Sequence, residues 1–255
     1  MRLPVAYAIL YLPIALLVAT SFNASRLTTQ WTGFSLRWYV ELAHDAPLIE
    51  AAWLSIRIAA LSATGAVLLG TAAGFAMARR ARPVFTALLA APLVLPDLLI
   101  GLALLLLFVA IQQLAGFPER GALTITVAHV TASLAYVALI VRARLADAGR
   151  SLEEAAADLG ASPAQTFRHV TLPLLAPAIL SGWLLAFTLS LDDVVIASFV
   201  SGPGATTLPM VVFSRLRLGA TPELNALATV ILGVVAVFVV AAWRLAPVAR
   251  ARPRD

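Results

Sequence analysis

Residues 151–173 read SLEEAAADLGASPAQTFRHVTLP. Ser151 stands three residues before Glu154, the spacing of a capping box. Leu152, Ala155, Ala156 and Leu159 follow at i, i+3, i+4 and i+7, one face of a helix. Gly160 comes next, where a glycine at C′ ends a helix. Ser162, Pro163 and Gln165 then supply an N-cap, a proline at N1 and a second capping box. The stretch predicts two short helices with a sharp bend at Gly160, the second running toward the apolar segment that starts at Leu174. Pro173 and Pro177 mark the entry into that segment.

Working outward from this elbow, the chain is strongly apolar. Six stretches approach or exceed the roughly 20 residues that a helix needs to cross a bilayer. They cover about residues 4–22, 52–78, 85–111, 122–141, 174–200 and 225–245. Apolar residues make up 61% of the 255 and charged residues only 12%. A soluble domain has about 45–50% and about 25%. There is too little polar surface to coat a globule in water, so the expected solvent is lipid and the expected fold an all-α integral membrane protein with six spans. The absence of Cys excludes disulfide scaffolds and thiolate metal sites, and no metal site is expected. All 18 basic residues are Arg. With no Lys there is no Walker A loop and no Schiff-base chemistry, so this chain is expected to bind no ATP of its own in that way.

The Arg residues alternate from loop to loop. Twelve fall on one side: Arg2, Arg79, Arg80, Arg82, Arg142, Arg144, Arg150, Arg168, Arg244, Arg250, Arg252 and Arg254. Five fall on the other side, Arg26, Arg37, Arg120, Arg215 and Arg217, while Arg57 lies inside the second span. Inner loops are the Arg-rich ones, which predicts both termini in the cytoplasm. Orientation thus accounts for the net charge of +5, and nucleic acid is not an expected partner. The first span, with Arg2 before it and Ala24-Ser25 after it, has some features of a signal peptide; we read it as an uncleaved anchor. Residues 1–50 then form that anchor and an external segment whose Trp31, Trp38 and Tyr39 suit an interfacial belt. Residues 51–245 form the remaining membrane domain, and 246–255 a cytoplasmic tail. Gly65, Gly70 and Gly74 run along span two, as helix packing requires.

Ionisable groups inside a span are costly and usually functional. Asp97 follows Pro96 in span three, Asp192 and Asp193 are adjacent in span five, and Glu223 stands at the outer entrance to span six. At about 1.5 Å per residue, Asp97 lies roughly 18 Å and Asp192 roughly 27 Å from the inner surface. The outer half of a pathway would therefore be acidic, suited to cations and hostile to phosphate or carboxylates. Adjacent helical residues point about 100° apart, so Asp192 and Asp193 share a direction only if the helix breaks. One is expected to face the path while the other caps or pairs. Arg57 is a candidate partner for one carboxylate, and Trp183, Phe187 and Phe199 are candidate cation–π contacts. His44, His129 and His169 are scattered and are read as structural.

Glu154-Ala155-Ala156, Gly160 and Val170-Thr171-Leu172-Pro173 resemble the EAA signature of bacterial ABC importer permeases, with Val170 where the family has Ile. The stretch Phe187-Thr188-Leu189-Ser190-Leu191-Asp192-Asp193 and the later Thr221-Pro222-Glu223-Leu224-Asn225 look like the spermidine/putrescine permeases of the PotC type. That resemblance implies a type I importer (MetI-like) permease fold with cytoplasmic coupling helices. Glu154, Ala155, Ala156, Gly160, Leu172 and Pro173 would dock on an ATPase, and Asp97, Asp192, Asp193, Glu223 and Trp183 would mark the polyamine path. It also implies a homologous sister permease, two ATP-binding subunits that hold ATP and Mg, and a periplasmic polyamine-binding protein, all at a bacterial inner membrane. A related importer for aminoethylphosphonate or an opine would carry similar motifs. A stand-alone secondary transporter would share the spans without a use for the elbow.

Overall fold

The computed structural model describes residues 3–26, 30–79, 82–149, 151–219 and 221–245. The tail 246–255, together with Arg2, Arg80 and Arg150, lies outside the described residues. The helices are α1 (Leu3–Thr20), α2 (Arg37–Ala43), α3 (Ala46–Arg79), α4 (Pro83–Val94), α5 (Asp97–Ala115), α6 (Ala122–Ala148) and α7 (Ser151–Asp158). They continue with α8 (Pro163–Thr166), a π-helical turn (Phe167–Thr171), α9 (Leu172–Asp192), α10 (Val195–Val200), α11 (Leu208–Leu218) and α12 (Pro222–Leu245). Among the described residues four helical runs are long and apolar enough to cross a membrane: Ala46–Arg79, Asp97–Ala115, Ala122–Ala148 and Pro163–Asp192. Shorter apolar helical stretches cover Tyr7–Thr20, Pro83–Val94 and Pro222–Val237.

Two of the expected continuous spans are broken. The third is split between α4 and α5 at Leu95 and Pro96, where the backbone is extended (ψ 137° and 140°). Pro96 offers no N–H to the preceding turn, and its ring pushes Leu95 out of the helical region. The depth of about 18 Å assigned to Asp97 from an unbroken helix therefore does not hold. The fifth stops at Asp192, Asp193 has ψ 128°, and α10 starts a new short helix.

The described residues fall into two compact units, one within residues 50–211 and one within residues 1–49 and 212–255. In the first of these α6 is the axis: half of its apolar window is buried, against 17% for α5, whose leucines are largely uncovered. The glycine stripe of α3 lies directly on α6. A Cβ at Gly70 would sit 2.7 Å from Val137, and one at Gly74 would sit 2.5 Å from the Ala138 carbonyl oxygen. Gly182 brings α9 onto the same Val137. Backbones approach this closely only where side chains are absent. Gly74→Val is therefore expected to force α3 off α6 and to destabilise the protein by about 2 kcal/mol, read as a lower melting temperature of the purified complex.

In the other unit, the segment after α1 folds back on itself. Asn23 is fully buried and pairs with Phe34 in an isolated bridge. Its side-chain oxygen accepts the Thr32 N–H at 3.1 Å, and its side-chain amide donates to the Gln30 carbonyl at 2.7 Å. Trp38 is not an interfacial residue as expected: it is buried, and its indole N–H donates to the Asn23 carbonyl at 2.6 Å. Burying the ring with its one donor satisfied outweighs an interfacial position. Arg215 joins Asp45 (2.6 Å) and Glu223 (2.7 Å), tying the start of α12 to the residue that precedes α3. The hydrogen bond from Arg215 holds the Asp45 carboxyl below its usual value. That contribution to stability is present at neutral pH and is lost as pH falls through the lowered value.

Candidate functional site

The elbow is built by backbone hydrogen bonds at the end of α7. The Gly160 N–H donates to the Ala157 carbonyl at 2.9 Å and the Ala161 N–H to the Ala156 carbonyl at 3.0 Å, which is a Schellman motif. Gly160 has φ +85°, and among the described residues nothing beyond its chain neighbours lies within 4 Å of the place a Cβ would take. The glycine is needed for the left-handed backbone, not for space. Helix α7 begins at Ser151 itself, one residue earlier than a cap at Ser151 requires. The second capping box is formed: Ser162 N–H donates to Gln165 Oε1 at 2.8 Å, and Gln165 N–H donates to Ser162 Oγ at 3.4 Å.

Beyond α8 the chain does not stop but passes through the π turn straight into α9, with the Leu172 N–H bonded to the Phe167 carbonyl. Pro173 has no N–H for the His169 carbonyl, and its ring would strike that oxygen in a regular helix. The wider turn moves the carbonyl aside. Leu172 and Pro173 lie at the exposed start of α9.

The two faces of α7 do different things. Glu153 turns inward, where it meets Arg79 of α3 and accepts the Thr171 hydroxyl at 2.7 Å. Phe75 and Phe167 pack edge to face beside it, with ring centroids 5.8 Å apart. Glu154 and Ala155 are exposed, and Ala156 is half-buried. Leu152 is 53% and Leu159 90% exposed, so the apolar face read from the sequence is uncovered. Glu153 was missed in the sequence. Its signal was its adjacency to Glu154: the two point about 100° apart on α7, so only one can face outward.

The second site is a pocket of about 350 Å³ at the breaks before α5 and after α9. Asp97, Asp192 and Asp193 all line it, with His129, Ser190 and Tyr136. Asp97 is the first residue of α5, next to Pro96, and is exposed. Asp192, the last residue of α9, is exposed as well. Asp193 is the capping residue. Its Oδ2 accepts the Ala197 N–H at 2.7 Å and its Oδ1 the Ile196 N–H at 3.2 Å, meeting the first turn of α10. His129 Nε2 is 3.1 Å from Asp193 Oδ2, and His129 Nδ1 is 2.6 Å from Ser190 Oγ.

Among the described residues Arg57 does not pair with an aspartate, in contrast to the expectation. Its guanidinium lies over Trp53, 5.0 Å from the ring centroid, on an exposed face of α3. His129 is the partner instead. Trp183 is not in the pocket lining; it stacks on Phe187 at 5.2 Å, and its N–H donates to Thr64 Oγ1 at 3.2 Å. It precedes Ser190 by seven residues, so it shares that face of α9 about two turns away. Phe199 packs on Gly101 of α5. Glu223 belongs to the other unit, bonded to Arg215. Tyr136 was not singled out from the sequence. Its signal was spacing: His129, Ser133 and Tyr136 recur at i, i+4 and i+7, one face of α6.

Comparison with known proteins places these features in a family. Over 244 residues the chain is 55% identical to the putrescine transport system permease protein PotI of Escherichia coli K12, covering 94% of this chain and 87% of that one. It is 39% identical over 243 residues to the E. coli K12 spermidine/putrescine transport system permease protein PotC, covering 94% and 90%. The PotC protein of Haemophilus influenzae is 42% identical over 231 residues, covering 89% and 88%. Among solved structures, a bacterial ABC transporter involved in import of the acidic polysaccharide alginate matches with a TM-score of 0.72 at 18% identity, covering 95% and 93%. The MetNI methionine ABC transporter matches with a TM-score of 0.61 at 16% identity, covering 76% and 91%. At such identity these structures speak for the fold alone, and that fold is all-helical and MetI-like. Residues 66–252 match the family described as the binding-protein-dependent transport system inner membrane component, and the chain belongs to that family.

Proposed function

We propose that this chain is the transmembrane permease subunit of an ABC importer that carries putrescine or spermidine from the periplasm to the cytoplasm. The observation that carries this reading is the 55% identity to a putrescine permease across 94% of the chain. The chemistry of the pocket supports it. Polyamines are flexible chains with several ammonium groups, and exposed Asp97 and Asp192 offer carboxylates beside the aromatic ring of Tyr136. An anionic cargo would be repelled there. The affinity of such an open site is modest, which suits a path that must release what it admits.

In this reading the six spans are α1, α3, α4 with α5, α6, α9 and α12. Residues 1–50 form the anchor and the external segment, 51–245 the permease domain, and 246–255 a cytoplasmic tail. Both termini are cytoplasmic, as the Arg distribution requires. The exposed face of α7, with Glu154, Ala155 and Ala156, docks on a separate ATPase, and Leu172 and Pro173 carry the push into α9. ATP and Mg belong to that partner, and this chain is not itself an enzyme. A homologous sister permease, a pair of ATP-binding subunits and a periplasmic polyamine-binding protein complete the machine. Asp97 and Asp192 form the outer station of the path, with Asp193 holding its wall at the start of α10, and Trp183 is the next station along α9. Glu223 adds charge at the outer entrance, shared with Arg215.

The test is uptake of radiolabelled putrescine into a bacterium lacking its own polyamine importers, with this chain expressed alongside its sister permease, ATPase and binding protein. Uptake should need ATP and all the subunits, and excess spermidine should compete. Uptake that persists without the ATPase would reject the importer; an intact complex indifferent to polyamines would reject the cargo.

A further inference from the structure

Asp192 and Asp193 are chemically identical neighbours, yet one is exposed and the other is tied down. Asp193 accepts three hydrogen bonds, from the Ile196 N–H, the Ala197 N–H and His129. Only 11% of its side chain is exposed. The first two bonds are local and belong to the joint between α9 and α10. The third comes from another helix: His129 is on α6, is 3% exposed, and bonds Ser190 of α9 through its other nitrogen. A carboxylate accepts, so Nε2 carries the proton toward Asp193, and in the neutral ring Nδ1 takes the Ser190 hydroxyl proton. Helix α10 has six residues, too few to hold itself. Asp193 caps its first turn, and the wall formed by Val194, Val195 and Ile196 lines the pocket.

We propose that His129 is a positioning residue that reserves Asp193 for the α9–α10 joint and so leaves Asp192 as the carboxylate that meets the cargo; this rests on the importer reading above. Without the His129 bond, Asp193 keeps only local partners, can turn into the pocket, and takes over the role of Asp192.

The test uses the complete transporter and two readouts. First, the penalty of Asp192→Asn on the KM for putrescine is measured in three backgrounds. It should be roughly fivefold with native His129, the size of one lost solvent-screened contact to a charged group. His129→Gln places an amide nitrogen near the position of Nε2 and should largely preserve that penalty. His129→Phe keeps an aromatic ring and drops both bonds; there the penalty should shrink to roughly twofold or less, because Asp193 substitutes. A merely structural role for His129 would leave the Asp192→Asn penalty equal in all backgrounds, and that result would overturn the proposal. Second, the chain has no Cys, so Ile196→Cys gives this subunit a single reporter. Ile196 is 4% exposed. Its labelling by a membrane-impermeant thiol reagent should be slow with His129 or His129→Gln and about tenfold faster with His129→Phe. Equal rates in all three would overturn the proposal. If the native complex takes up no putrescine, the cargo assignment fails, while the labelling rates still decide whether His129 holds the joint.

Discussion

Gly160→Trp is expected to cut ATP-driven polyamine uptake by about tenfold or more while ATP hydrolysis continues. Two physical effects add. The left-handed backbone at Gly160, φ +85°, costs a residue with a Cβ about 1–2 kcal/mol. The Schellman bonds to Ala156 and Ala157 are weakened with it. The indole then projects from the outer side of the bend, since among the described residues nothing beyond its chain neighbours lies within 4 Å of the Cβ position. In the proposed machine that space faces the ATPase. A series separates the effects: Gly160→Asn, which tolerates this conformation, should be mildest, Gly160→Ala intermediate and Gly160→Trp worst. Parallel assays of uptake and ATP hydrolysis in proteoliposomes decide it. Wild-type uptake by the Trp variant would remove the docking role of the elbow.

Neutralising both exposed carboxylates, Asp97→Asn with Asp192→Asn, should raise the KM for polyamine by roughly twenty-five-fold with a smaller change in maximal rate. A unit charge about 5 Å from an ammonium group contributes about 3 kcal/mol at the dielectric typical of a protein surface. Both side chains are exposed, so solvent and salt reduce this to about 1 kcal/mol each. One such loss is about fivefold, and two multiply. The effect should shrink at high ionic strength, unlike that of a packing defect. A double variant with unchanged KM would take the pocket off the path. Asp193→Asn answers a different question, because its carboxylate holds the first turn of α10. Its expected symptom is loss of assembled complex.

The inside and outside of the elbow had different legibility. Gly160, Ser162 and Gln165 act through their own backbones and nearest neighbours, so residue type and spacing were enough to read the bend and the second cap. Glu153 acts through Arg79, 74 residues away in the chain, and through Thr171, so it was invisible. Pro96 marked a place where the backbone of span three can open, but spacing alone did not show that the span from Phe85 to Ile111 divides there into two separate helices. The structure ends α4 at Val94 and starts α5 at Asp97.

Composition and local grammar by themselves determined the lipid solvent, the helical class and the elbow. Each of these depends on summed transfer free energy or on hydrogen bonds a few residues long. Only the tertiary structure decided what the buried charges do. It put His129 rather than Arg57 against Asp193, and it separated two adjacent aspartates into a cap and an open carboxylate. It also gathered Tyr136 and Asp97 into the same pocket. Those choices turn on which helix faces meet, and facing is set by close contacts such as Gly70 and Gly182 on Val137, between residues far apart in the chain.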